Sequence, residues 1–376
     1  MFSDVKLSLQ DISIVPCVNT DIKSRSECNP YYYGSNQSKK LGTKSLPLFT
    51  APMSTVVEEQ NLEIFLKNNI EPILPRNICL NKRIDNLKMG YWCAFGLSDI
   101  NTLLSKNIFG ISFNSKVLID VANGHMDILY DLVKDIKKQN NATTIMIGNI
   151  ANPDTYYYCC KNNIDYVRVG IGGGSGCLTS SNTGVFYPAA SLISEIYEFK
   201  KELVGKELVG LPIITKIVAD GCARGYSDII KALALGADYV MCGKLFAQML
   251  ETPGEIIADA NNGSPRYILY QYNYDGADKG YPFTDDKYNY ILTLTKEFYG
   301  MASKRGQQDF CVPRLKTAEG KVEKIEIKYT IAQWVENFID YLKSAMAYTG
   351  KRDITDFIGG VDIIRLSENA KNSYNK

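Results

Sequence analysis

The sequence predicts an α/β chain folded as a (β/α)8 TIM barrel, with an extended flap or finger excursion between strand 8 and helix 8. Three observations carry this. Eight short apolar runs of strand length recur between Leu48 and Gly243, segments of helical period separate them, and unusual short motifs collect at their ends. Strand–helix alternation implies right-handed crossovers and a parallel sheet. Eight repeats favour a closed barrel over an open sheet.

The runs span Leu48 to Met53, Glu71 to Pro75, Tyr91 to Gly96, Val117 to Val121, Thr144 to Ile150, Asp165 to Gly170, Ile213 to Asp220 and Asp238 to Gly243. Before them, Leu7 to Pro16 alternates weakly and stops at proline, as an edge strand does. Asn29 to Lys44 reads as a loop or short hairpin. Between runs, Ile128, Leu129, Leu132, Val133 and Ile136 form one helical stripe. Ser227 is a plausible N-cap for a helix carrying Ile229, Ile230 and Leu233 and stopped by Gly236. Residues 252–328 are a long excursion rich in Tyr, Asp, Asn and Gly. A structureless loop of that length is improbable unless functional, so it is expected to be a mobile flap over the barrel mouth. Thr330 and Gln333 then make a capping box, and Ile331, Trp334, Val335, Phe338, Ile339, Leu342 and Met346 give a helix its apolar face before Gly350. The expected organisation is one domain over 1–376, with a lead-in segment at 1–45, the excursion at 252–328, helix 8 at 330–349 and a closing tail at 350–376.

Composition excludes several function classes. The 42 basic and 41 acidic residues leave a net charge of +1, without the footprint of a nucleic-acid binder. No apolar run is long enough to span a bilayer, and the N-terminus lacks the form of a signal peptide. Ten cysteines occur without a CxxC pair, which argues against zinc or a disulfide framework and for a reducing, cytoplasmic setting. Nine of the ten are expected to be buried small hydrophobes. A single histidine, His125, excludes or nearly excludes chemistry needing a His dyad, a Ser-His-Asp triad or a multi-histidine metal site. His125 reads as a polar residue beginning a helix.

The chemistry centres on Val169-Gly170-Ile171-Gly172-Gly173-Gly174-Ser175-Gly176-Cys177-Leu178-Thr179. A strand feeds a glycine loop whose backbone N–H groups can approach an oxyanion, and a thiol stands at the far end. A cradle fixes a ligand, and a nucleophile beside it can attack that ligand. Backbone dipoles there favour the thiolate of Cys177. Other strand ends carry Ala51-Pro52-Met53, Pro75-Arg76-Asn77, Asp120-Val121-Ala122-Asn123-Gly124, Gly148-Asn149, Ala219-Asp220-Gly221 and Gly243-Lys244. Any one glycine could serve only a tight turn; together they favour a site. Asp220-Gly221 and Gly243-Lys244 fit the phosphate site that barrels place after strands 7 and 8, and Ser175 can add a hydroxyl. Asp220 has no obvious ion partner in the sequence and suits a ribose diol. Patterning by itself gives Glu319 no special standing.

From about Leu7 to Tyr348 these motifs together resemble the IMP dehydrogenase / GMP reductase family. The resemblance rests on the cysteine loop, Asp11, Lys23-Ser24-Arg25-Ser26-Glu27, Ala51-Pro52-Met53, Gly148-Asn149, Asp220-Gly221 and Gly300-Met301 in family order. No CBS pair is inserted after the second strand, and no Arg-Tyr pair lies between Met301 and Glu319. Asp120 to Gly124, Thr183-Gly184-Val185, Phe298 to Met301 and Ala318 to Lys321 look like the GMP reductase branch. The resemblance implies attack of Cys177 on C2 of GMP, loss of ammonia and hydride from NADPH to give IMP, with Glu319 and Thr179 protonating the amine. It implies substrate contacts from Ser175, Asp220, Gly221, Cys222, Gly243, Lys244, Gly300, Met301, Lys316 and Gly320. Asp120, Ala122, Asn123, Gly170 and Arg76 are implied cofactor contacts. Carbonyls of Gly172, Gly174 and Cys177 are implied ligands of a monovalent cation, K+, and the assembly implied is a homotetramer.

The chain departs from the family pattern at several places. Cys222 replaces a glycine, Ser54 an aspartate, Gly173 a proline or serine, and Lys316 a base-contacting arginine whose planar fork it lacks. Residues 261–290 are longer than usual. Three alternatives stand beside the expected activity: an IMP dehydrogenase without its CBS module, oxidising IMP with NAD, a catalytically inactive purine-nucleotide-binding barrel, and a flavin-dependent barrel.

Overall fold

Period-two alternation in the eight runs decides the architecture, because one set of side chains must face an interior and the other a helical layer. The structure, a computed structural model, describes residues 5–33, 44–111, 114–205, 213–260, 267–269, 284–285, 290–309 and 317–374. Its central strands are β1 (Leu48–Thr50), β2 (Ile73–Leu74), β3 (Trp92–Phe95), β4 (Lys116–Asp120), β5 (Thr144–Ile150), β6 (Tyr166–Val169), β7 (Lys216–Asp220) and β8 (Tyr239–Cys242). Neighbours pair in parallel in chain order, β8 pairs back onto β1, and a bridge from Phe49 to Glu71 links β1 to the approach of β2. The fold is the expected (β/α)8 barrel, with helices between successive strands.

Inward-facing Phe49, Ile73, Trp92, Leu118, Met146, Val218, Tyr239 and Met241 form an interior cluster, while Leu48, Leu74, Cys93, Val117, Ile145, Val167, Ile217 and Val240 pack under the helices. Aromatic rings fill the end where the strands begin. Trp92 meets Phe49 edge-on at 5.6 Å and Tyr166 at 5.5 Å, and Tyr32 covers Tyr239 at 5.1 Å. Tyr32 belongs to a short hairpin, Tyr32–Tyr33 against Lys44–Ser45, and its hydroxyl donates to Asp238 O at 2.9 Å. With that end filled, ligand access falls to the end where the strands finish.

The lead-in segment is an edge strand, as its alternation predicts, and its partner comes from the tail: Ile12–Ile14 pairs antiparallel with Ile363–Arg365. Helix 331–348 starts at Thr330, whose side chain accepts from Gln333 N, and Gly350 follows it with φ +69°. Three local expectations are corrected. Gly225, not Ser227, caps helix 226–234, because Gly225 takes the extended conformation one residue before the first turn. Ile128 is solvent-exposed rather than part of the buried stripe, since it stands at the very start of helix 128–139. Among the nine described cysteines, Cys28, Cys93, Cys159, Cys160 and Cys242 are buried, but Cys79 is exposed and Cys17, Cys177 and Cys222 are half-buried.

The excursion is also more ordered than expected of a structureless loop. It holds an antiparallel sheet of β9 (Ile256–Ala260), β10 (Tyr267–Leu269), β11 (Thr284–Asp285), β12 (Tyr290–Tyr299) and β13 (Val322–Glu326), with β12 central. Most of 261–290 lies outside the described residues. Lys296 on β12 roots this sheet in the barrel: its ammonium, 1% exposed, donates to Met249 O (2.5 Å), Thr252 O (3.0 Å) and Thr252 Oγ1. Burial pushes its pKa down to about 7, against a pull upward from Glu251. Unfolded, the same lysine keeps its proton to about pH 10.5, so the unfolded state binds more protons between those values and stability rises with pH across that window. The Tm is therefore expected to increase by roughly 2–5 °C between pH 7 and 9 relative to Lys296→Met measured in parallel. Parallel profiles for the two proteins would contradict this reading of the buried lysine.

Candidate active site

The turn after β6 sets the geometry. Gly170 has φ +132°, and a Cβ there would run into Asp220 O, so only glycine allows β6 and β7 to end this close together. Its N–H donates to Ile150 O and its carbonyl accepts from Asn149 Nδ2 at 2.7 Å. Gly221, at φ +72°, presses against Gly174 so closely that a Cβ would meet Gly174 N at 3.0 Å. The cysteine loop is thereby clamped against the end of β7, with the exposed Ser175 at its tip. Cys177 N donates to Gly174 O at 2.9 Å, which turns the chain and presents the thiol.

Three predicted residues meet here. The half-buried Cys177 Sγ donates to Thr179 Oγ1 at 3.3 Å, and Thr179 Oγ1 donates to Glu319 Oε2 at 3.1 Å. Glu319 arrives from 140 residues away on a segment laid along the loop. Leu178 N donates to Glu319 O (2.8 Å), Lys321 N donates to Gly176 O (3.1 Å), and Cys177 and Gly320 form an antiparallel bridge. Glu319 N in turn donates to Ala302 O at 3.0 Å, which joins the Gly300–Ser303 turn, with Met301, to the same stack. Phe298 covers the loop from β12: a Cβ on Gly176 would stand 3.2 Å from its ring. Gly243 lies against Met53, which also approaches Gly300. Lys244 pairs with Glu323 on β13, a partner the sequence reading missed. Cys222 turns its thiol onto the hydrophobic core, and burial raises its pKa to about 12. Lys316 lies outside the described residues.

The expectation that Asp220 lacks an ion partner is corrected. Arg168, inward-facing on β6, bridges Asp120 Oδ1 (2.5 Å) and Asp220 Oδ2 (2.9 Å), and Asn149 Nδ2 donates to the latter oxygen at 2.8 Å. Burial works against the Arg168 charge, but Asp220 and Asp120 overcome it and raise its pKa. The signal was present: a charged residue at an inward position of a barrel strand needs buried partners. Asp220 Oδ1 keeps no partner among the described residues and stays available at the mouth. Arg168→Met, which strands two carboxylates, is expected to cost about 3–5 kcal/mol of stability in a urea titration. A loss under about 1 kcal/mol would show that the pair is solvated.

On the far side of Asp120, Arg76 Nη1 donates to Asp120 O at 3.2 Å and stands 4.0 Å from Asp120 Oδ2. Asp120 Oδ2 and Arg76 Nε are both buried without a hydrogen-bond partner among the described residues. The Arg76 guanidinium packs against Gly96, so the end of β4 carries buried hydrogen-bonding capacity that the described residues leave unused. Ala122 and Asn123 are exposed on the adjoining turn. His125 is structural: Nε2 accepts from Ala151 N at 3.1 Å, Nδ1 lies 2.9 Å from Thr155 Oγ1, and burial lowers its pKa.

Fold and site together define a (β/α)8-barrel protein with a thiol–hydroxyl–carboxylate chain at its mouth. Residues 113–272 match the family model for the IMP dehydrogenase / GMP reductase domain. The chain is 27% identical to a GMP reductase of Buchnera aphidicola subsp. Schizaphis graminum, covering 97% of this chain and 95% of that protein. It is 26% identical to GMP reductase 2 of Bos taurus, with 98% and 97% covered, and 25% identical to GMP reductase 2 of Homo sapiens, with 97% and 96% covered. The chain is thus similar to the IMP dehydrogenase / GMP reductase domain over residues 113–272 and, along nearly its whole length, to proteins named GMP reductase. No helix among the described residues is long and apolar enough to cross a membrane.

Proposed function

We propose that the protein is a GMP reductase, converting GMP to IMP and ammonia with NADPH. The observation that carries this reading is the hydrogen-bonded chain from Cys177 through Thr179 to Glu319. Its direction, thiol to hydroxyl to carboxylate, is that of a proton relay. The thiol proton passes through Thr179 to Glu319, and the Cys177 thiolate attacks C2 of the purine, forming a C–S bond and placing charge on N3. Glu319, through Thr179, returns that proton to the 2-amino group. The C2–N bond breaks, ammonia leaves, and the N3 electrons restore the ring double bond as a thioimidate. A nicotinamide cofactor, when bound, supplies the hydride that takes the place of sulfur at C2. Sulfur departs as thiolate, IMP is released, and solvent restores the proton.

The remaining assignments follow from position. Ser175, Gly221, Gly243 and Lys244 take the phosphate, and Cys222 backs their turn. Asp220 offers Oδ1 to the ribose. Gly300, Met301 and Gly320 line the base, with Lys316 assigned to it by resemblance alone. Asp120 and Arg76, with their unpaired buried atoms, fit a polar group of the cofactor, alongside Ala122, Asn123 and Gly170. Gly172 O and Gly174 O each accept one internal bond and retain a lone pair. With Cys177 O they offer the carbonyl ligation a K+ ion takes. A cytoplasmic homotetramer is the expected context.

Two incubations test the reading. GMP with NADPH is expected to bleach the nicotinamide absorbance, whereas IMP with NAD is expected to leave it unchanged. Absorbance growth in the second mixture alone would make the protein an IMP dehydrogenase, and binding of nucleotide without turnover in either would make it a binding barrel. A yellow purified protein would point to a flavin enzyme.

A further inference from the structure

Two lysines share one carboxylate at the rim of the barrel. Glu323, its side chain 18% exposed, pairs through Oε2 with Lys244 and through Oε1 with Lys321. The two ammonium groups hold its carboxyl below the usual range, Lys244 foremost. The cluster therefore carries a net positive charge, and it does so beside the proposed phosphate cradle. Lys244 follows Gly243 just after β8, and the neighbouring strand β7 is followed by Gly221, pressed against Gly174. Adjacent strands lie about 5 Å apart. A lysine there is within reach of an anion held between the two turns.

We propose that Glu323 stands in for the substrate's phosphate: when a nucleoside monophosphate binds, Lys244 leaves Glu323 for the phosphate dianion. The exchange strands no charge, because Lys321 still neutralises Glu323 after Lys244 departs. A single Lys–Glu pair could not trade partners so cheaply, since a lone, mostly buried carboxylate would remain. The dianion is also the stronger attractor, offering more acceptor oxygens and a second negative charge. Glu323 shares its segment with Glu319, and Lys321 between them is bonded to Gly176. Loss of the Lys244 contact thus removes one side-chain tie between the barrel rim and the segment that carries the carboxylate of the relay, while its backbone contacts to the cysteine loop persist. This makes Lys244 the residue that distinguishes phosphorylated nucleotide from nucleoside. The inference rests on the reading of the site as one for a purine nucleoside monophosphate.

The test is calorimetric binding to the full chain, without turnover, using GMP, IMP, guanosine, NADPH and NADH. Lys244→Met is expected to weaken GMP and IMP roughly tenfold or more and leave guanosine unchanged. Glu323→Gln, which removes the competitor, is expected to tighten GMP about threefold to tenfold. In the double variant that tightening should vanish, a coupling that a merely structural role would not produce. Equal losses for GMP and guanosine, or tightening by Glu323→Gln that survives in the Lys244→Met background, would overturn the exchange. So would discrimination between NADPH and NADH with GMP unaffected, which would place the phosphate on the cofactor. Should Lys244→Met fold poorly, Glu323→Gln decides: unchanged or weakened GMP binding overturns the proposal. A native protein that binds neither GMP nor IMP would instead sink the nucleotide reading itself.

Discussion

Cys177→Ala is expected to lower turnover of GMP by roughly 10⁴-fold or more, because the first bond of the proposed reaction is made by its sulfur. No described neighbour can substitute. Thr179 is the hydroxyl next in line but is far less nucleophilic than a thiol, and Cys222 is turned into the core with its pKa raised to about 12. Binding should survive, since the loop's turn is held by the Cys177 backbone N–H to Gly174 O and by its bridge to Gly320. Initial rates of nicotinamide bleaching measure the loss. Acid quenching during turnover should place a purine adduct on the peptide bearing Cys177 in the native protein and nowhere in the variant. A variant within about tenfold of native turnover would remove the mechanism's first step.

Glu319→Gln is expected to reduce kcat by roughly 10²–10⁴ while leaving the Kd for GMP near native. Glutamine keeps the size and one oxygen acceptor for Thr179 but cannot store the proton that must reach the departing amine. The contacts that seat this segment are main-chain: Leu178 N to Glu319 O and Glu319 N to Ala302 O. They are unaffected by the substitution, so a seating defect and a proton defect are separable. Single-turnover mixing should show the variant stalled before ammonia release. If instead KM rises and kcat holds, Glu319 is only a positioning residue.

The barrel itself was legible in the chain because its determinants are local. Runs such as Thr144 to Ile150 coincide with their strand to the residue, and Thr330 with Gln333 mark the start of the helix they cap. The cysteine loop announced itself through five glycines and a thiol within eight residues. Glu319 carried no such signal: its place became legible only by resemblance, since hydrogen bonding to Thr179 depends on how the excursion folds back. Cap choice at Gly225 rather than Ser227 turns on one backbone dihedral, and the sheet of the excursion is hard to read because an inward Lys296 interrupts the alternation of Leu294 and Phe298 and because polar stretches separate its strands.

What the sequence by itself determined is the set of short-range facts: strand and helix periods, the capping box, the glycine loop and the thiol at its end. These depend on contacts within a few residues, where spacing and stereochemistry suffice. The tertiary structure alone decided the partners: Arg168 between Asp120 and Asp220, Lys296 in the carbonyls of Met249 and Thr252, and Lys244 with Glu323. Each joins groups separated by 44 to 79 residues. A charge's partner is set by where closure of the barrel and return of the excursion place it, and that information resides in the packing of the whole chain.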